Sequence, residues 1–220
     1  MSNFSSSRRL QNDIADCEKN SDRKIAPDMY YIVCIELCKQ TSTPSSSSST
    51  NMVKNLLRTR KDHFALVGYV YDKEIYLLFS SVGEGNHYLE GSHQAICSEY
   101  ASMASIEFGC RCVVKIIELE SRTMVLVYFQ TKLFENAKRS AHLLSKNTIS
   151  KKEIGQFTFG EIIQALQSRA SIEWDKIPAA ERFGVFYKYA LGNNNKEKFI
   201  VLSELVNVQE KDKYISYFFD

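Results

Sequence analysis

No apolar run in the 220-residue chain approaches the roughly 18 residues that a membrane-spanning helix needs. Met1 to Asn20 is polar and serine-rich and has no apolar stretch of the kind a secretory signal requires. These absences predict a soluble protein, intracellular and cytoplasmic, with no membrane partner. An excess of one charge is lacking too, since 28 Lys and Arg stand against 26 Asp and Glu for a net charge of +2. Any nucleic-acid surface must then come from a local concentration of charge. CxxC spacing is absent from the six cysteines: neither Cys34/Cys38 nor Cys110/Cys112 has it, and Cys17 and Cys97 stand apart. Reduced thiols, rather than a zinc site or a disulfide framework, are expected. A Gly-rich phosphate loop is missing as well, because Gly83-Glu84-Gly85 has no Lys-Ser/Thr ending.

What is present, 44% hydrophobic and 12% aromatic residues, suffices for one domain with an ordinary core. Residues 1–27 read as a mobile polar arm and residues 28–190 as the folded body. Within that body, residues 41–51, Thr41 through the serine run, read as a low-complexity loop that cannot pack. Residues 191–220 read as a C-terminal extension, with the strand-formers Lys198 to Leu202 and a Tyr- and Phe-rich end, Tyr214 to Phe219.

Tyr30 to Cys38 has the β-branched and aromatic content of a strand, with Tyr31, Val33, Ile35 and Leu37 on one face and Ile32, Cys34, Glu36 and Cys38 on the other. Glu36 is its one charge. Phe64 to Tyr71 and Ile75 to Phe79 form a hairpin whose tip carries Asp72, Lys73 and Glu74. Ile96, Tyr100, Ala104 and Phe108 recur at helical spacing between His87 and Phe108. Cys112 to Leu119 alternates as a strand, and Met124 to Ser145 is a long helix with Leu126, Leu133, Ala137, Ala141 and Leu144 on one side. Two capping boxes, Ser150 to Glu153 and Thr158 to Glu161, each set a hydroxyl three residues before a glutamate and start a short and a longer helix. Strand, helix, hairpin, helix, strand, helix predicts an α+β palm, an antiparallel sheet with helices packed on one face.

The same segments resemble the tRNA-histidine guanylyltransferase family and its 3′-to-5′ polymerase relatives, whose palm is polymerase-like. Tyr128-Phe129, Lys132, Glu135 and Lys138-Arg139-Ser140 resemble that family's "YF..RQ.DA.RNS" helix, and Thr148 to Ile154 its "FSHKEL" turn. Gly160 to Leu166 resembles "..EI..ML", while Ile172 to Pro178 with Arg182 to Val185 resembles "I.W..LP...R.GV". Upstream, Ser98, Ala101 and Ser102 resemble "KLVSVLAS", and Gly68-Tyr69 with Glu74-Ile75 resembles "GYTQSDEIS". The ordered series covers roughly Tyr30 to Tyr189.

The resemblance implies a two-metal nucleotidyl transfer, with one carboxylate on the first strand and another at the hairpin tip. Here this sequence departs from the pattern. The first-strand Asp-Gly is Glu36-Leu37, and the tip Ser-Asp-Glu is Asp72-Lys73-Glu74, which sets an ammonium at the metal-ligand position. The phosphate-contacting lysine aligns with Ala95, and the helix arginine and asparagine with Lys132 and Arg139. Lys73 is expected to pair with Asp72 or Glu74 and to disfavour a divalent cation. If the site is active, Glu36, Asp72 and Glu74 are its catalytic and metal-binding carboxylates, with Mg²⁺ and GTP as cofactors; if degenerate, it takes none.

Lys132, Lys138, Arg139, Lys146, Lys151 and Lys152 concentrate positive charge against the single acid Glu135, and these are the candidate nucleotide- or RNA-binding residues. Lys54, Arg58, Arg60, Lys61 and His63 form a second cluster, read as a solvated surface, and His142 reads as a surface histidine. Trp174 reads as a core or interface anchor. The expected function is that of a catalytically degenerate guanylyltransferase-like subunit that binds RNA, a nucleotide or a protein partner. The alternatives are an active transferase that adds a nucleotide to the 5′ end of tRNA-like RNA, and a protein-interaction module docking through its C-terminal aromatics. Partners are tRNA-like RNA or protein subunits of a complex, with a homo-oligomer possible through the resemblance.

Overall fold

The computed structural model describes residues 26, 28–38, 46–59, 65–81, 92–145, 148–191, 197–204, 206 and 208–219. The expected arm, apart from Ala26 and the start of the body, and the Gly83-Glu84-Gly85 turn lie outside them. The chain begins with β1 (Tyr30–Leu37), α1 (Ser46–Thr59), β2 (Val67–Tyr71), β3 (Glu74–Ser80), α2 (His93–Phe108) and β4 (Cys112–Leu119). A long helix α3 (Arg122–Ser145) follows, then α4 (Lys151–Ile154), α5 (Phe159–Ala170), α6 (Ala179–Phe183), β5 (Val185–Leu191), β6 (Glu197–Leu202) and α7 (Lys211–Phe219). Among the described residues, six antiparallel strands lie in the order β4-β1-β3-β2-β5-β6. The first four strands with α1 and α2 make a split βαβ unit, and β5 and β6 widen its sheet.

Both faces of β1 are apolar, and both are covered. Tyr31, Val33, Ile35 and Leu37 share a core with Met52, Val53 and Leu57 of α1 and Ile96, Tyr100 and Ala104 of α2. Tyr30, Ile32 and Cys34 share another with Val125, Leu126, Phe129 and Leu133 of α3 and Tyr214 and Phe218 of α7. The antiparallel α+β palm stands as expected, but helices cover two faces rather than one. The reason is in the strand, since Ile32 and Cys34 need cover as much as Val33 and Ile35 do.

Two expectations about the chain's organisation meet different local structure. Ser46 to Asn51 is not loop but the first turns of α1, because Met52, Val53 and Leu57 follow on one helical face and bury against the sheet. Ser49 itself is buried there. Residues from 197 on are no appendage: β6 pairs with β5 from Phe186↔Leu202 to Leu191↔Glu197, so a boundary at 190 falls inside β5. Tyr214 and Phe218 are buried in the chain's own core, and Phe218 packs 5.4 Å from Phe129 and 5.2 Å from Phe186. Those aromatics therefore do not form a free docking surface.

The 24-residue α3 joins two cores. Its first half lies on the sheet, and Ala137 and Ala141 of its second half pack against Ile162, Ala165, Leu166 and Trp174. Trp174 is buried there between Phe159 and Phe183, as an anchor should be. The capping box of Thr158 and Glu161 closes reciprocally and starts α5, and Ser150 and Glu153 bond in the same manner before α4. Leu144, expected on the packed side of α3, is 37% exposed.

Candidate functional site

Strand register brings two of the expected carboxylates together. Glu36 of β1 stands directly opposite Glu74 of β3, so the two side chains rise from one face of the sheet. Tyr71 follows next in that row, opposite Glu74 across the hairpin. The tip is a two-residue loop of Asp72 and Lys73. Asp72 adopts a left-handed backbone, φ 50°, which aspartate tolerates better than most residues, and its side chain is exposed. Leu37 N–H donates to the Lys73 carbonyl at 2.9 Å, which ties the tip to the end of β1.

Two carboxylates directly opposed on neighbouring strands repel unless a cation intervenes. Arg139 supplies that cation. It projects from α3, which crosses this face, and its Nη2 donates to Glu74 Oε1 at 2.8 Å. The other Glu74 oxygen, Oε2, accepts from the Tyr76 hydroxyl at 2.5 Å. Burial by itself would raise the Glu74 carboxyl, but the bonds from Tyr76 and Arg139 outweigh it and hold the group below its usual range. The Arg139 guanidinium lies 5.7 Å from the Tyr71 ring centroid. The ion pair at the tip is thus made by Arg139 and not by Lys73, because a helix residue reaches over the face to which Glu74 points.

A divalent cation does not fit the groups as they stand. Both Glu74 oxygens are engaged, a guanidinium is in contact with one of them, and no group of three or more His, Cys, Asp or Glu side chains among the described residues is placed to hold a metal ion. Glu36 is exposed beside the pair, and Asp72 joins no such group.

The basic residues of α3 divide in two. Lys132 Nζ bonds Glu135 at 2.6 Å, one turn along the helix, whereas Lys138 is exposed, as is Lys152 of α4. Lys146 and the side chain of Lys151 lie outside the described residues. Lys138, Arg139 and His142 line an open cleft of about 480 Å³ together with Gly155, Phe157 and Ile162. His142, expected on the surface, is half-buried at its wall. The second basic cluster is described only at Lys54 and Arg58, whose charged ends lie over the rings of Tyr187 and Phe199.

Beneath the site runs a polar seam that sequence reasoning missed. Asn136, fully buried on α3, donates from Nδ2 to the Tyr69 hydroxyl at 2.7 Å, and Tyr71 donates to the Asn136 carbonyl at 2.9 Å. Tyr69 in turn donates to the Phe183 carbonyl. Burial pushes the Tyr69, Tyr76 and Tyr128 hydroxyls up, so all three stay protonated. The one available signal was Asn136 itself, a polar residue on the helical face of Phe129 and Leu133. The four cysteines weighed for zinc, Cys34, Cys38, Cys110 and Cys112, are free thiols in no metal-capable group among the described residues.

No protein-family model and no curated protein matches the sequence. Solved structures do. The chain is similar to a bacterial tRNA(His) guanylyltransferase-like protein in complex with ATP, at 15% identity and a TM-score of 0.72, covering 96% of this chain and 99% of that one. A bacterial tRNA(His) guanylyltransferase-like protein in complex with GTP aligns at 15% identity and a TM-score of 0.69, over 96% and 100%. The tRNA(His) guanylyltransferase of Saccharomyces cerevisiae aligns at 11% identity and 0.63, over 89% and 98%. The expected resemblance is borne out at the level of the fold: over nearly all of its length, this chain has the fold of tRNA(His) guanylyltransferase-like proteins.

Proposed function

We propose that the protein is a catalytically degenerate member of this fold that binds RNA or a nucleotide through the basic side of α3, without a metal ion, as a binding or assembly subunit. The Arg139–Glu74 pair carries the reading. A guanidinium fixed by the helix neutralises Glu74, so part of the charge a divalent cation would supply there is already provided by the chain. The exposed Lys138 and Lys152, with Arg139, supply phosphate attraction that needs no metal. ATP and GTP accompany the bacterial proteins of the same fold, which supports phosphate-bearing ligands here.

The juxtaposition of Glu36 and Glu74 favours one competing reading, an active transferase in which Arg139 swings away and Mg²⁺ enters with GTP. One set of measurements separates them. For the binding subunit, GTP with Mg²⁺ gives no more thermal stabilisation than GTP with EDTA, and 5′-monophosphorylated or triphosphorylated tRNA receives no added nucleotide. RNA binding in EDTA should weaken on Lys138→Glu and become less salt-dependent. Magnesium-dependent stabilisation together with a 5′-extended product would overturn the binding-only reading. RNA binding that is absent, or indifferent to Lys138→Glu, points to a protein partner.

A further inference from the structure

Strand β6 ends the sheet, and among the described residues no strand pairs with its outer edge. An edge strand is ordinarily blunted by charge, as at the opposite end of the sheet, where β4 carries the exposed Lys115 in its middle. β6 reverses that pattern: after Lys198 it runs Phe199-Ile200-Val201-Leu202, with no charge. Successive residues of a strand point to opposite faces, so the exposure of both Ile200, at 40%, and Val201, at 55%, means that both faces of this edge meet solvent. The Tyr217 hydroxyl donates to the Ile200 carbonyl at 3.2 Å, which engages the backbone there but leaves those two apolar side chains exposed.

The side chains around this edge are mainly cationic. The register Ala190↔Lys198 and Lys188↔Ile200 sets Lys188 and Lys198 on the α7 face, where Lys188, Ile200, Leu202, Lys213 and Tyr217 line an open hollow of about 340 Å³. Lys213 is neutralised by Glu204 at 2.5 Å, whereas Lys198 is exposed. On the other face, α1 holds Lys54 and Arg58 over the ring of Phe199, in the row that Val201 shares. An extended segment that alternates apolar residues with acids matches both faces: its apolar row covers Val201 and Phe199, and its acidic row meets Lys188 and Lys198. A helix keeps its backbone bonds to itself and gains nothing from an unpaired strand edge, and a basic segment is repelled. We propose that β6 is a docking edge for an acidic, extended segment of a partner protein, which adds to the sheet as one further strand. This surface is separate from the basic side of α3, so its failure leaves the proposed function untouched.

The test uses the full chain with fluorescein-labelled decapeptides that alternate Val with Glu or Val with Lys, read by fluorescence anisotropy. The Val–Glu peptide should bind roughly tenfold tighter than the Val–Lys peptide, the discrimination that like charges across a contact provide. It should also slow amide hydrogen exchange in β6, a mark of backbone pairing that charge attraction alone would not leave. The same Val–Glu peptide N-methylated throughout keeps its side chains but loses its donors, and it should not bind. Lys198→Glu, an exposed change, should erase the preference for the acidic peptide. Equal binding of the two peptides overturns the proposal, as does binding that survives N-methylation, ignores Lys198→Glu or leaves exchange in β6 unchanged. No binding of either peptide overturns it too. A dimer in analytical ultracentrifugation that Val201→Asp dissociates would assign the edge to a second copy of this chain and overturn the acidic partner.

Discussion

At Glu74 opposing effects meet. The carboxylate is half-buried, which disfavours its charge, and it is bonded by Tyr76 and Arg139, which favour the charge and prevail. Because its folded-state pKa lies below the unfolded value, the stabilisation is complete above the ordinary glutamate pKa, about 4.3, and is lost as pH falls through the depressed folded value. Urea unfolding should therefore find the wild type more stable than Glu74→Gln at pH 7 by no more than about 1 kcal/mol, since the pair is partly exposed and screened. The difference should narrow as pH is lowered from 7 through and below the glutamate range. A gap that stays constant with pH would mean that the ion pair contributes nothing. Cys34, on the same face, tests the burial of this region from below. Burial pushes its thiol up to about 11, against smaller opposing effects of Lys115 and Tyr76. Iodoacetamide at pH 8 should accordingly spare Cys34 in the native protein and label it in urea, as read by peptide mass spectrometry.

Elements depend on close approach at a few points, and Gly68 is one. A Cβ there would lie 2.3 Å from Val53 Cγ1, a stiff β-branched side chain on α1. Gly68→Ala should push α1 off β2 and cost about 1–3 kcal/mol of overpacking, measurable as a lower urea midpoint; an unchanged midpoint would show that α1 is loosely seated. That contact also explains what was and was not legible in the sequence. Strand β1, the hairpin turning at Asp72-Lys73, strand β4 and both capping boxes follow from neighbours within a few residues, and each lies where local pattern put it. The start of helix α1 was hidden because its serines give no periodicity; the helix is buried through Met52, Val53 and Leu57 and the bare backbone of Gly68 across from them. The Arg139–Glu74 pair joins residues 65 apart in sequence, so no local spacing announces it. Its parts were named as separate candidates, one as a metal ligand and one as a phosphate contact, and only the packing of α3 across the sheet made them partners.

The whole molecule turns on α3, which lies over the sheet with its first half and carries the α5 and Trp174 layer with its second. Its seat on the sheet is completed from the far end of the chain. Phe218 of α7 is buried between Phe129 of α3 and Phe186 of β5, and β6 pairs along β5. The residues that place Arg139 over Glu74 therefore depend on elements that enter last. Truncation after Leu191 removes β6 and α7 together, strips the outer edge from β5 and exposes Phe129 and Phe186. Loss of the cooperative urea transition is the expected result, with RNA binding lost alongside it. Phe218→Ala leaves the strands paired and should keep a cooperative transition lowered by about 3–5 kcal/mol, the usual cost of emptying a buried phenylalanine site. If the truncated chain instead unfolds cooperatively near the wild-type midpoint, residues 197–220 are dispensable and α3 holds its place by the inner four strands alone. Intermediate behaviour in Phe218→Ala together with collapse on truncation would show that one closed core sets the geometry at the Arg139–Glu74 pair.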